Sequence, residues 1–161
     1  MKAAVCTKYG APSYVEVVDL SIPKPTENQI LIKNHSSSVT SGDARIRRAD
    51  PCVIRLIFGF KRPRKSVLGV VVAGEVVAIG EKVSNFKIGD RVFGSTGMSF
   101  GAHAQYTCVD QYGTLAKIPE NMTAGDAAAI PFGATAALHF LRKGQIKKGH
   151  KVLIYGASGA I

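Results

Sequence analysis

The chain has 161 residues, of which 46% are hydrophobic and 20% charged, and its formal net charge is +10. This composition supports a hydrophobic core and argues against a disordered chain. The most apolar run, residues 67–80, is too short to span a bilayer and contains Glu75, and no signal peptide pattern follows Met1. The three cysteines are widely spaced, which argues against a disulfide framework and favours a reducing compartment. We therefore expect a cytoplasmic protein without a membrane partner.

Short apolar segments between glycine- and proline-rich turns dominate the chain as far as residue 119. This pattern is typical of antiparallel strands and predicts a mainly β fold. We predict a hairpin from residues 3–7 and 14–20, a pair of strands within 67–80, and further strands at 29–39, 91–94, 102–109 and 115–119. Gly74, in the middle of the predicted pair, indicates a bulge or a close backbone approach.

The periodicity changes after residue 122. Thr123, with Asp126 three residues later, predicts the start of a helix, and Pro131 predicts its end. A second helix is expected over residues 132–144, followed by a buried strand of the parallel type at 152–155. We therefore divide the chain into a β-rich domain, 1–122, and the beginning of an α/β domain, 123–161.

A glycine-rich turn follows the last predicted strand. Small residues there would let the backbone approach a phosphate, and the next helix would offer unpaired N–H groups. These residues can be aligned with the dinucleotide-binding fingerprint G-x-G-x-x-G, although an ordinary turn would explain the same residues. The candidate phosphate-binding residues are Gly156, Ala157, Ser158, Gly159, Ala160 and Ile161.

Several motifs along the chain resemble one family. They are the opening MKAAV, SVTSGDARIRRAD, LGVVVAGEVVAIGEKVSNFKIGDRVFG, GAHAQY, AAAIPFGATAALHFL and the closing KVLIYGASGAI. Together they are similar to the zinc-independent quinone oxidoreductase branch of the medium-chain dehydrogenase/reductase superfamily. The resemblance implies a GroES-like barrel domain, followed by the bridging helix and first strand of a Rossmann domain. It also implies NADP or NAD as cofactor, and family members are considerably longer than this chain.

The same resemblance bears on metal binding. Zinc-dependent relatives have a cysteine at the position of Thr40 and a Gly-His-Glu triplet at the position of Gly69-Val70-Val71. Threonine and valine do not provide the sulfur, imidazole or carboxylate ligands that zinc requires. The four histidines have no ligand-like spacing. We predict that the protein binds no zinc and has no other metal site.

Without a Lewis acid, hydride transfer suits a substrate that already contains an electron sink, such as a quinone or an enone. Thr40 and Asp43 are the catalytic candidates, because the family lines its cleft at these positions. Thr40 is also a cofactor-binding candidate, and Thr135 matches a threonine placed beside the nicotinamide. Two alternatives stay open: Thr40 satisfies only a turn at a strand end, and Asp43 has a structural role.

Eight arginine and lysine residues lie within the basic stretch 45–66. Such a stretch could attract nucleic acid, and Phe58 and Phe60 could stack on bases, but the phenylalanines lie in an apolar run that is expected to pack. We therefore expect a small-molecule substrate, no specific nucleic acid, and a homodimer as the candidate assembly. The alternative function is a free-standing basic GroES-like module that binds nucleic acid or a protein.

Overall fold

The computed structural model describes residues 1–156 and residue 159. Within this part of the chain there are seven strands: β1 (Lys2–Cys6), β2 (Val15–Asp19), β3 (Gln29–Ser36), β4 (Val71–Ile79), β5 (Arg91–Ser95), β6 (Tyr106–Asp110) and β7 (Thr114–Lys117). The same part contains three α-helices: α1 (Ser41–Arg48), α2 (Ile54–Phe58) and α3 (Ala124–Lys143). No helix among these residues is long and apolar enough to cross a membrane.

The strands form a half-barrel. Five of them pair in the order β6-β3-β4-β5-β7, every neighbouring pair antiparallel. The hairpin of β1 and β2 forms a separate two-stranded sheet, attached through bridges from Ala3 to Ala104 and from Val5 to Val67. The mainly β fold and the predicted hairpin are thus confirmed. The basic stretch, for which no helix was predicted, contains α2 and the second half of α1.

Strand β4 is covered on both faces, and this explains its continuous apolar sequence. Val72 and Val76 are fully buried in the cluster that fills the half-barrel. Val71 and Ala73 point to the opposite face and belong to a second cluster with Ala127 of α3. The sheet therefore separates an inner core from an outer core under the first turns of α3.

The prediction of two strands within 67–80 was wrong, because β4 runs unbroken through Gly74. The expected close approach at Gly74 is confirmed. A Cβ at this position would lie 2.0 Å from the carbonyl oxygen of Lys33 on β3. The pairing of β3 with β4 also changes register between Asn34 and Ser36, beside Gly74, which is the predicted irregularity.

Helix α3 begins as predicted and ends later than predicted. The side chain of Thr123 accepts a hydrogen bond from the backbone N–H of Asp126 at 3.1 Å. The predicted break at Pro131 was wrong, because one helix continues to Lys143. A proline inside a helix removes one backbone hydrogen bond. Here the preceding turns are held against the sheet by Ala127, and packing outweighs the lost bond.

The expected strand at residues 152–155 is not formed within the part of the chain that the structure describes. Residues 151–154 have no regular secondary structure, and Leu153 and Tyr155 are 92% and 98% exposed. A strand needs a neighbouring strand to satisfy its backbone groups, and no described segment pairs with this one. The boundary proposed at 122/123 stays a prediction.

Candidate functional site

Thr40 and Asp43 together form the N-terminal cap of α1. The hydroxyl of Thr40 accepts from the backbone N–H of Asp43 at 3.2 Å, and Oδ2 of Asp43 accepts from the backbone N–H of Thr40 at 2.8 Å. This reciprocal pair is a capping box. The Thr40 hydroxyl also donates a hydrogen bond to Oδ2 at 2.8 Å, so its only O–H group is already used by a carboxylate.

Asp43 is almost completely enclosed, with 5% of its surface exposed. Its Oδ1 accepts a hydrogen bond from the backbone N–H of Gly69 at 3.1 Å. Its Oδ2 lies 3.8 Å from Nε2 of His103, which is ion-pair distance but too long for a hydrogen bond. Burial alone would raise the pKa of Asp43, but His103 and the hydrogen bonds from Thr40 outweigh it and hold the pKa below its ordinary value.

Gly69 connects this carboxylate to the entrance of β4. Its φ is +91°, a left-handed conformation that favours glycine. A Cβ there would lie 2.6 Å from Nδ1 of His103. The carbonyl of Gly69 accepts from the backbone N–H of Ala102 at 3.1 Å. We call Thr40, Asp43, Gly69 and His103 the Asp43 cluster.

A cleft of about 580 Å³ opens beside the Asp43 cluster. Its polar and charged lining residues are Asp43, Arg47 and His103. The remaining walls are mostly apolar and include Cys6, Val15, Val39 and Leu68. Burial raises the pKa of the Cys6 thiol, although Arg47 counteracts this effect. The Cys6 side chain is therefore a neutral, weakly polar part of the wall.

Val71 occupies one of the positions at which the resemblance places a metal ligand of zinc-dependent relatives. Val71 is 1% exposed and belongs to the outer core beneath α3. The hydroxyl of Ser37 donates to the carbonyl oxygen of Val71 at 2.8 Å. Within residues 1–156 and residue 159, no three His, Cys, Asp or Glu side chains form a group that could hold a metal ion. The absence of zinc from the protein stays a prediction.

Thr135 lies in the second half of α3. Its hydroxyl donates to the carbonyl oxygen of Pro131 at 2.5 Å. It borders a depression of about 440 Å³ that is lined by other residues of α3. One contact between the barrel and α3 is at Ala128, whose carbonyl oxygen accepts from the Ser38 hydroxyl at 3.1 Å. Thr135, about 10 Å further along the helix, makes no hydrogen bond to the Asp43 cluster and does not line its cleft.

Two of the candidate phosphate-binding residues are described, and they form a turn. Gly156 has φ of +74°, with open space where a Cβ would be. The backbone N–H of Gly159 donates to the carbonyl oxygen of Gly156 at 2.8 Å. The other four predicted residues, Ala157, Ser158, Ala160 and Ile161, lie outside the described residues.

Sequence reasoning did not identify His103 or Gly69 as members of the site. The spacing of His103 in the sequence indicated no role as a ligand, yet its side chain is 16% exposed and faces a buried carboxylate. The cap at Thr40 had a usable signal, because the threonine and aspartate have the same spacing as Thr123 and Asp126. The contacts of Asp43 with Gly69 and His103 had no such signal in the sequence, because they join distant segments of the chain.

Comparisons with known proteins agree with this architecture. A model of the alcohol dehydrogenase GroES-like domain matches residues 26–120, more than half of the chain. The quinone oxidoreductase of Sus scrofa is 37% identical over 164 residues, covering 100% of this chain and 47% of that protein. The solved quinone oxidoreductase of Coxiella burnetii has a TM-score of 0.80 at 31% identity, covering 92% of this chain and 46% of that one.

A third relative was solved with a nucleotide. The Escherichia coli quinone oxidoreductase, complexed with NADPH, has a TM-score of 0.77 at 26% identity and covers 89% of this chain and 41% of that one. The chain thus spans about half the length of the curated relatives it matches. Its half-barrel and the family match over 26–120 lead to one conclusion. The chain belongs to the alcohol dehydrogenase GroES-like domain family, within the quinone oxidoreductase-like branch of the medium-chain dehydrogenase/reductase superfamily.

Proposed function

We propose that the whole protein is an NAD(P)H-dependent oxidoreductase that works without zinc and reduces quinones, enones or related activated carbonyl compounds. The observation that carries this proposal is the match to the Sus scrofa quinone oxidoreductase, which extends over 100% of this chain. The aliphatic side chains of Val70 and Val71 support the zinc-free part. The alternative of a free-standing binding module is not favoured, because the similarity to oxidoreductases continues beyond the barrel.

Two features of the described residues, at Thr135 and at Gly156, are compatible with binding a dinucleotide. Thr135 is exposed, and its oxygen keeps lone pairs that could accept from a carboxamide N–H group. The turn at Gly156 has a positive φ and leaves room for a phosphate to approach the backbone. The bound nicotinamide would supply the hydride. NADP is the cofactor we favour, because a related enzyme was solved with NADPH.

Thr40 is proposed to act as a hydrogen-bond acceptor. Its single O–H group donates a hydrogen bond to Asp43, so polarising a substrate carbonyl would require breaking a 2.8 Å hydrogen bond to a carboxylate. A hydroxyl oxygen has two acceptor lone pairs, and one is used by the backbone N–H of Asp43. The remaining lone pair suits a ribose hydroxyl better than a carbonyl oxygen. We therefore assign Thr40 to cofactor binding.

Asp43 is proposed to be a positioning residue. Its lowered pKa keeps the carboxylate ionised near neutral pH, so it has no proton to donate to a reduced substrate. Its oxygens hold Thr40 and Gly69 instead. The proton for the product would then come from solvent. A conjugated substrate tolerates this arrangement, because its own π-system takes up the negative charge that develops during hydride transfer.

The test is an activity screen of the full-length protein. NADPH and NADH oxidation is followed with quinones, with enones, and with saturated ketones as the matched control. We expect turnover with the conjugated compounds and little with the saturated ketones. Turnover only of saturated ketones, or only after zinc is added, would contradict the proposal. The homodimer and the cytoplasmic location stay predictions, which sedimentation and cell fractionation of the full-length protein can check.

A further inference from the structure

The basic stretch 45–66 contributes an exposed surface that the proposed reaction does not use. It holds eight of the 21 lysine and arginine residues and one of the 11 acidic residues, Asp50, which gives a net charge of +7. Seven of the eight cationic side chains are exposed, and Arg47, the exception, donates to the carbonyl of Gly10. Within residues 1–156, none of the eight forms a salt bridge. This charge is therefore available to a partner.

Helix α2, inside this segment, turns apolar side chains toward solvent. Phe58 packs inward, and its ring stands edge-on to that of the buried Phe100 at 5.6 Å between centroids. Leu56 and Ile57 are 70% and 61% exposed, and Phe60, just after the helix, is 72% exposed. A cluster of large apolar side chains on the surface marks an interaction site.

Apolar and cationic side chains line the same two depressions beside α2. Ile57, Arg64 and Met98 line a groove of about 220 Å³, and Arg64 also lines a neighbouring depression of about 470 Å³ with Phe60. The ammonium group of Lys65 donates to the carbonyl oxygen of Met98 at 3.3 Å, so the two residues are neighbours. We define the α2 surface as Leu56, Ile57, Phe60, Lys61, Arg62, Arg64, Lys65 and Met98.

We propose that the α2 surface docks the protein on an anionic lipid bilayer. Apolar side chains ringed by lysine and arginine suit such a surface, because they enter the headgroup layer while the cations contact lipid phosphates and carboxylates. Nucleic acid fits less well. It would use the charge and could stack on Phe60, but it would leave Leu56 and Ile57 without an apolar environment.

This contact requires no membrane-spanning segment. The prediction of no membrane partner rested on the residue pattern after Met1 and on the length of the apolar run 67–80, and neither observation concerns a surface contact. The proposal is also independent of the reductase function, since it uses neither the Asp43 cluster nor the glycine turn.

The experiment is sedimentation of the full-length protein with phosphatidylcholine vesicles, prepared with and without phosphatidylserine. We expect binding only to the phosphatidylserine vesicles, weakened on going from about 0.1 M to about 0.5 M salt. Replacing three cations together, Arg62→Gln, Arg64→Gln and Lys65→Gln, should weaken partitioning roughly a hundredfold. The double substitution Leu56→Ser and Phe60→Ser should weaken partitioning at least about tenfold while keeping the net charge.

The matched control is Lys147→Gln, Lys148→Gln and Lys151→Gln, which removes the same charge from exposed positions elsewhere. It should bind almost as well as the parent protein, and thermal unfolding should show that all variants are folded. Equal weakening by the control and by the α2 variants would overturn the proposal. A parent protein that does not bind phosphatidylserine vesicles would also overturn it. The same holds if the parent protein binds DNA but not vesicles and the Leu56→Ser, Phe60→Ser variant still binds DNA. It holds as well if the parent protein dimerises without vesicles and these two changes abolish the dimer.

Discussion

The hydroxyl of Thr40 donates a 2.8 Å hydrogen bond to the carboxylate of Asp43, at the first turn of α1. The same carboxylate accepts from the backbone of Gly69, 26 residues further along the chain. One buried side chain therefore caps a helix and also holds the segment that enters the central strand of the half-barrel. Disturbing it should affect the stability of the barrel and the orientation of Thr40 together.

Replacing Asp43→Asn should destabilise the barrel by about 1–3 kcal/mol at neutral pH. The amide NH2 would face either the donors of Thr40 or the backbone N–H of Gly69, and the negative charge beside His103 would be lost. The measurement is urea unfolding of the full-length protein. The matched control is Asp126→Asn in α3, where the same capping contact is exposed and water can replace it, so a smaller loss is expected.

The stability difference between the parent and Asp43→Asn should depend on pH. The pKa of Asp43 is lower in the folded protein than its ordinary value of 3.8, so the folded state binds fewer protons than the unfolded state. The stabilisation is fully present above the ordinary value and is lost as the pH falls through the folded pKa. A difference that stays constant down through this acidic range would contradict the assignment.

Replacing Gly69→Ala should cost at least about 3 kcal/mol, because it combines backbone strain with a collision against His103. Gly89→Ala is a close control. Its φ of +89° nearly equals the +91° of Gly69, but nothing lies within 4 Å of its added Cβ. It should cost only the strain, about 1 kcal/mol. Equal unfolding free energies for the two variants would show that the contact with His103 does not matter.

Replacing Thr40→Val in the full-length protein should lower kcat/KM for the cofactor by about tenfold, the effect of losing one hydrogen bond of about 1.4 kcal/mol. Thr40→Ser keeps the hydroxyl and should retain most of the activity. Steady-state kinetics with varied NADPH would separate KM from kcat, and unfolding curves would show any loss of the cap. Unchanged kinetics in a folded Thr40→Val protein would remove Thr40 from the site.

The full-length protein, purified without chelators, should contain far less than one zinc per chain. Thr40, Val70 and Val71 provide no thiolate, imidazole or carboxylate where zinc-dependent relatives have their ligands. Elemental analysis measures the content, and activity after dialysis against a chelator should be unchanged. Near-stoichiometric zinc that disappears together with activity would refute the prediction.

The half-barrel was largely predictable because its signals are local. Alternating residues and turn glycines predicted every barrel strand except β4 to within about four residues, and Thr123 predicted the start of α3. Helix α1 was missed although its cap at Thr40 had a local signal, whereas two other differences had nonlocal causes. Pro131 would end an isolated helix, but the outer core holds α3 together. The strand expected at 152–155 requires neighbouring strands, and the described part of the chain supplies none.

Two copies of the pattern Thr-x-Gly-Asp show where prediction from sequence ends. Thr40 to Asp43 and Thr123 to Asp126 both cap a helix, because the hydroxyl and the backbone N–H it binds are three residues apart in any first turn. The sequence alone determined these caps and the strand pattern. Tertiary structure alone decided that Asp43 is buried against Gly69 and His103 while Asp126 stays in water. Burial depends on which distant segments meet, and it lets the same four-residue pattern support a site at one helix and only a helix start at the other.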